Sequence, residues 1–166
     1  MGTSHPIQRG NQRKTDFKAY IESLVSTYSP LAIAEEINDN QVTIAQSIAN
    51  TIKIPHEIIE PTPQERSDLG IETRSAIMHD ILFDYDEIDD WPDEPSPDNL
   101  PVNAYNEYFT RIQKAYRERE QEWLVRLRKL NTWPVIVICG SSHHQPFTDL
   151  LSTDGFKVVD ACENWE

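Results

Sequence analysis

Cysteine is scarce in this chain of 166 residues, with only Cys139 and Cys162 present. Their spacing fits no C-x-x-C metal or redox pattern, so neither a disulfide framework nor a thiolate zinc site is indicated, and Cys139 reads as a small buried hydrophobe. Basic residues are also few: 15 Lys and Arg stand against 28 Asp and Glu, a formal charge of −13. Phosphate contacts need clustered cations, so a nucleic-acid surface is excluded, and an anionic membrane surface with it. No apolar run approaches the ~20 residues of a membrane helix, and the polar start lacks the apolar centre of a signal peptide. The expectation is a cytoplasmic protein. The length suits one compact domain with a core of its own.

What is present alternates helix and strand. Phe17, Tyr20, Ile21, Leu24, Val25 and Tyr28 share one helical face, and Val42, Ala45, Ile48, Ala49 and Ile52 predict a second helix over 41–52. Between them "PLAIAEE" reads as a strand covered on both faces, with Glu35 and Glu36 at its end. "HEIIEP" is a further strand, and "TPQE" opens a helix: Thr62 caps it, Pro63 takes its first position and Glu65 closes a capping box. Gly70 ends that helix.

From Ser75 to Thr110 there is no Lys or Arg, and residues 80–98 hold nine carboxylates. With four prolines in "WPDEPSPDNLP", this predicts a long, partly mobile connection over about 80–101. It lacks the glycine and the terminal Glu of an EF-hand, so it reads as solvated surface. A long helix over about 102–130, the strand "PVIVICG", a short helix from Gln145 to Ser152 and a last strand "FKVVDA" complete the pattern. The expected fold is α/β: three layers, α/β/α, around a mainly parallel sheet of four to five strands. Such sheets bind ligands beyond the C-terminal ends of their strands, where both "AEE" and "GSSHH" fall.

The long helix has an apolar stripe of Tyr105, Phe109, Ile112, Tyr116, Trp123, Leu127 and Leu130, with Arg119 in its middle and Glu120 on its flank. A buried cation needs a carboxylate, and Glu35 and Glu36 are the available ones. Arg119 alternatively docks the helix through a structural ion pair, or snorkels to the rim. Gly-x-Ser-His occurs twice, as "GTSH" at 2–5 and "GSSH" at 140–143. If both loops share a sheet edge, His5 and His143 face one another beside Glu35 or Glu36, a nitrogen and oxygen ligand set for Zn, Mn or Co. Ser141 and Ser142 are not in a G-x-S-x-G elbow and read as turn hydroxyls.

"GTSH", "AEE", the Arg119, Glu120 and Trp123 of "REQEW", and "GSSH" together resemble the TraB/TIKI and erythromycin-esterase/ChaN-like superfamily. That group carries two G-x-x-H motifs with a glutamate and an Arg-Asn/Asp element between them. The resemblance implies an α/β fold, one site built from His5, Glu35 or Glu36, Arg119, Glu120 and His143, and metal-dependent protease, esterase or haem-binding roles. The expected assignment puts a divalent Mn, Co or Zn on His5, Glu35 and His143, with Glu36, Arg119 and Glu120 catalytic. Which of Glu35 and Glu36, and of His143 and His144, turns inward stays open.

The leading expectation is a metal-dependent hydrolase of a peptide, ester or amide. The alternative is a non-catalytic anion-binding or regulatory protein using the Ser-rich turn ahead of a helix. A third reading has the acidic connection bind a basic partner.

Overall fold

The computed structural model describes residues 1–37, 41–85, 96–162, 164 and 165. The described residues form two compact units: Met1–Pro61 with Glu120–Glu166, and Thr62–Arg119.

The first unit is built on a four-stranded parallel sheet, β1 (Gly2–Thr3), β2 (Ala32–Glu35), β3 (His56–Ile58) and β4 (Val135–Gly140), in the order β1-β4-β2-β3. Side chains alternate across a strand, and here both faces are apolar. Ile33, Ile136 and Ile138 enter one cluster with Phe17, Ile21 and Leu24 of α2 (Lys14–Tyr28) and Ile44, Ala45 and Ile48 of α3 (Ile44–Ile52). On the other face Ala34 and Cys139 pack with Trp123 and Leu127 of α6 (Val102–Lys129) and Phe147 and Leu151 of α7 (Ser141–Thr153). The fold is therefore α/β, with helices on both faces of a parallel sheet. Burial pushes the Cys139 thiol up to about 12, as suits a packing residue.

The second unit is helical. It contains α4 (Pro63–Asp68), α5 (Arg74–Asp84), a 3₁₀ turn at Pro97–Asn99 and the first part of α6. Its core is Ile77, Ile81, Ala104, Tyr108 and Ile112. Thr62 and Glu65 form the expected capping box reciprocally, Thr62 N donating to Glu65 Oε2 at 2.7 Å.

Several expectations change. Residues 80–84, read as connection, are the end of α5, held by Ile77 and Ile81, with Tyr85 as its C-cap; residues 86–95 of that stretch lie outside the described residues. Helix α3 starts at Ile44 because the Thr43 hydroxyl accepts the Gln46 N–H, and Val42 is left outside and exposed. "FKVVDA" forms no strand, and the sheet's fourth member is the two-residue β1. The stripe of α6 is shifted: Ala104 and Tyr108 are buried, while their neighbours Tyr105 and Phe109 are 41% and 51% exposed. The burying residues of α6 serve two cores in turn, so a single stripe drawn along all 28 residues misplaces the centre. No helix among the described residues is long and apolar enough to cross a membrane.

Candidate functional site

The two Gly-x-Ser-His segments lie side by side. Strands β1 and β4 are parallel neighbours with Gly2 opposite Cys139 and Thr3 opposite Gly140, so the motifs end at the same sheet edge, one residue out of register. Each strand turns directly into a helix. Ser4 leads into α1 (His5–Gln8), whose first residue is His5. Gly140 leads into α7, which begins at Ser141, four residues earlier than the sequence suggested. His143 and His144 are thus helical first-turn residues, both 3% exposed, and not a loop.

Alternation along β2 separates the two glutamates. Glu35 shares the face of Ile33 and meets α3: its Oε2 accepts from Thr43 Oγ1 at 2.6 Å and lies 2.9 Å from His56 Nε2. Its Oε1 is buried without a hydrogen-bond partner among the described residues. Glu36 turns to the opposite face, where Oε2 accepts the Gly140 N–H at 2.6 Å and Oε1 lies 3.8 Å from His5 Nε2. Glu36 and not Glu35 therefore stands beside His5, a correction that follows from the two-residue period of a strand.

The space next to Gly140 ties the other residues in. A Cβ on Gly140 would meet Glu36 Oε2 at 3.2 Å and His143 Cδ2 at 3.6 Å. A Cβ there would make the buried Glu36 carboxylate give way by a few tenths of an ångström, while its approach to the ring is ordinary contact, so glycine supplies room here and not backbone freedom. His143 Nδ1 lies 2.7 Å from Glu120 Oε1, with both side chains buried. The Trp123 ring meets His143 edge-on at 4.9 Å, and its Nε1 donates to Glu60 at 2.9 Å. His144 looks elsewhere: its Nε2 is 3.2 Å from Asp160 Oδ1, and it lines a cavity of about 700 Å³ beside β4.

The expected residues thus divide. His5, Glu36, Glu120 and His143 come together around Gly140 in the first unit. Glu35 joins Thr43 and His56 instead, a pair that the sequence reading missed. On α6 the buried member is Glu120, 1% exposed, whereas Arg119 is half-buried with its guanidinium 6.0 Å from the Tyr116 ring centre. The shifted stripe explains the exchange.

Two donors, His5 Nε2 and the Glu36 carboxylate, are near enough to share one ion. Among the described residues no group of three or more His, Cys, Asp or Glu is arranged to hold a metal. The Gly140 N–H, the first donor at the N-terminus of α7, serves the protein's own Glu36 carboxylate. Comparison of the chain with protein-family models, with curated proteins and with solved structures finds no match.

Proposed function

We propose that the cluster of His5, Glu36, Glu120 and His143 is the active site of a hydrolase acting on a peptide, ester or amide bond. The observation that carries this reading is the buried His143–Glu120 pair. A carboxylate accepts, so the ring donates from Nδ1; that fixes the tautomer in which Nε2 accepts a proton. In this reading His143 is the general base toward water and Glu120 orients it and balances the imidazolium that forms. Glu36, held by Gly140, keeps a negative charge next to His5, which is 45% exposed at its side chain and is the cluster's contact with solvent. The resemblance of the two Gly-x-Ser-His motifs to the TraB/TIKI group supports the same choice.

A divalent Mn, Co or Zn would be taken by His5 and Glu36, where it would polarise the scissile carbonyl or its bound water. The described residues supply a pair of donors and no third, and the proton transfer falls to His143 and Glu120. Arg119 stays a candidate for the oxyanion, resting on sequence position and the same resemblance.

The test is a screen of peptide and ester substrates, with and without added Mn, Co or Zn, alongside elemental analysis of the purified protein and of His143→Asn. Loss of a general base should lower kcat by about 10²–10⁴-fold. Turnover that survives His143→Asn unchanged, or no hydrolysis under any metal condition, overturns the proposal.

A further inference from the structure

Strand β1 is gripped on the side away from β4 by residues that form no strand of their own. Gly2 N donates to Cys162 O at 2.9 Å and Trp165 N donates to Gly2 O at 2.9 Å, so both backbone polar groups of Gly2 are answered by the same stretch of chain. Beside it Thr3 Oγ1 donates to Trp165 O at 3.1 Å. The stretch is moored in turn to α2. Tyr20 Oη donates to Ala161 O at 3.0 Å. The Trp165 ring lies 4.9 Å from Phe17 and 5.8 Å from Tyr20, stacked on the latter, with the Arg13 guanidinium over it at 4.7 Å. Arg13, Phe17 and Tyr20 are spaced by four and three residues, one face at the start of α2, so the face that docks α2 also builds the seat for the indole.

We infer that Ala161, Cys162 and Trp165 act as a clasp, anchored by the Trp165 ring, that sets His5 against Glu36 and opens without the rest of the sheet. The placement follows from connectivity. Only Ser4 separates the clasped Thr3 from His5 at the start of α1, whereas Glu36 is fixed independently by the Gly140 N–H. The 3.8 Å between His5 Nε2 and Glu36 Oε1 exceeds a hydrogen bond, so the pair does not hold itself together. The ease of opening follows from burial. Ala161, Cys162 and Trp165 are only partly buried and Asn164 is exposed, whereas Ile33, Ile138 and Cys139 of the sheet are at most 3% exposed. Segments with few buried apolar contacts open locally well below the free energy of global unfolding. Helix α1 adds a push of its own. Its last residue, Gln8, is fully buried with Oε1 and Nε2 lacking a hydrogen-bond partner among the described residues, and opening lets that amide reach water. His143 has no such dependence, because its partner Glu120 lies on α6. The clasp thus moves one histidine of the cluster and leaves the other. Its effect on turnover rests on the hydrolase reading; its effect on the position of His5 does not.

The test compares Trp165→Ala and Trp165→Phe with the parent by NMR on the full chain. In Trp165→Ala, amide exchange at Thr3 should quicken by at least about tenfold, and the His5 ring signals should move toward those of an unstructured histidine. Exchange at Ile33 and Ile138 and the His143 ring signals should stay as they are. Trp165→Phe, which still packs on Phe17 and Tyr20, should restore most of both changes. Tyr20→Phe, which removes only the hydrogen bond to Ala161, should give a smaller change of the same kind. Gln8→Met, which keeps the shape and deletes the unanswered amide, should slow exchange at Thr3. Unchanged Thr3 exchange and His5 signals in Trp165→Ala overturn the inference. So does protection lost at Ile33 and Ile138 together with Thr3, which makes Trp165 an ordinary part of the core. On a hydrolysed substrate, kcat should fall by about 10–10²-fold in Trp165→Ala. A parent with no turnover sinks the hydrolase reading, and the Thr3 and His5 signals still decide the clasp.

Discussion

In the sheet-bearing unit the charges lie inside. Glu35, Glu36, Glu60 and Glu120 are all at most 3% exposed, and each meets a donor or a histidine. In the helical unit they lie at the surface: Arg111 gathers Glu72, Asp80 and Glu107, and all four side chains keep solvent access. Buried ionised groups are seldom the cheapest way to hold a fold, since apolar replacements of similar shape are often as stable. The four inward carboxylates therefore set the first unit apart as the place where apolar packing gives way to buried polar pairs. The Arg111 cluster is of the kind that contributes little and yields to salt.

Single substitutions separate the two units by the size of their effect. The largest change is expected from Glu120→Ala, which removes the buried acceptor of the His143 Nδ1–H and opens a cavity beside it; a loss of about 2–4 kcal/mol follows and is read by urea denaturation. Glu120→Gln, which still accepts from Nδ1, should recover most of it. Ile81→Ala in the helical core should cost about 2–4 kcal/mol with no histidine involved, a control for burial without charge. Gly140→Ala comes next, about 1–3 kcal/mol, because the new Cβ meets Glu36 Oε2 at 3.2 Å; added Glu36→Ala should return part of the loss.

The smallest effect is on acidification. The Arg111 guanidinium holds the Asp80 carboxyl below its ordinary 3.8, so the unfolded chain binds the proton more readily than the folded one. The Asp80 contribution is complete above pH 3.8 and disappears as pH falls through the lowered folded value. Thermal unfolding of Arg111→Met between pH 2 and 5 should show a shallower acid loss than the parent, and more so at low salt.

Local signals carried the sequence reading where they were self-sufficient. The capping box at Thr62, the apolar run at Val135–Gly140 and the three-four spacing of α2 need no distant partner, and each became the expected element. The carboxylate edge and the paired motifs were likewise placed at the right end of the sheet. What escaped depends on neighbours. Strand β1 is two residues long and has no pattern to read; it exists because Cys139 and Gly140 offer it an edge. Helix α5 hid in an acidic stretch because only Ile77 and Ile81 face inward. The choice between Glu35 and Glu36 needed the register of β2, and the choice between Arg119 and Glu120 needed the phase of a helix that serves two cores. His56 gave no signal, since nothing in "HEIIEP" says that its ring will reach back to Glu35.

The strand order also sets a clock. β4 lies between β1 and β2 in the sheet, yet about 100 residues of chain separate it from β2. At ~5–20 residues per second on a ribosome, roughly 5–20 s pass between the synthesis of the two. During that interval β2 has only β3 beside it, and β1, with His5 just after it, has no strand neighbour at all. The sheet and the cluster around Gly140 are completed in one late event, when β4 arrives. A nascent chain halted before residue 135 should accordingly be a client for chaperones rather than a half-built sheet.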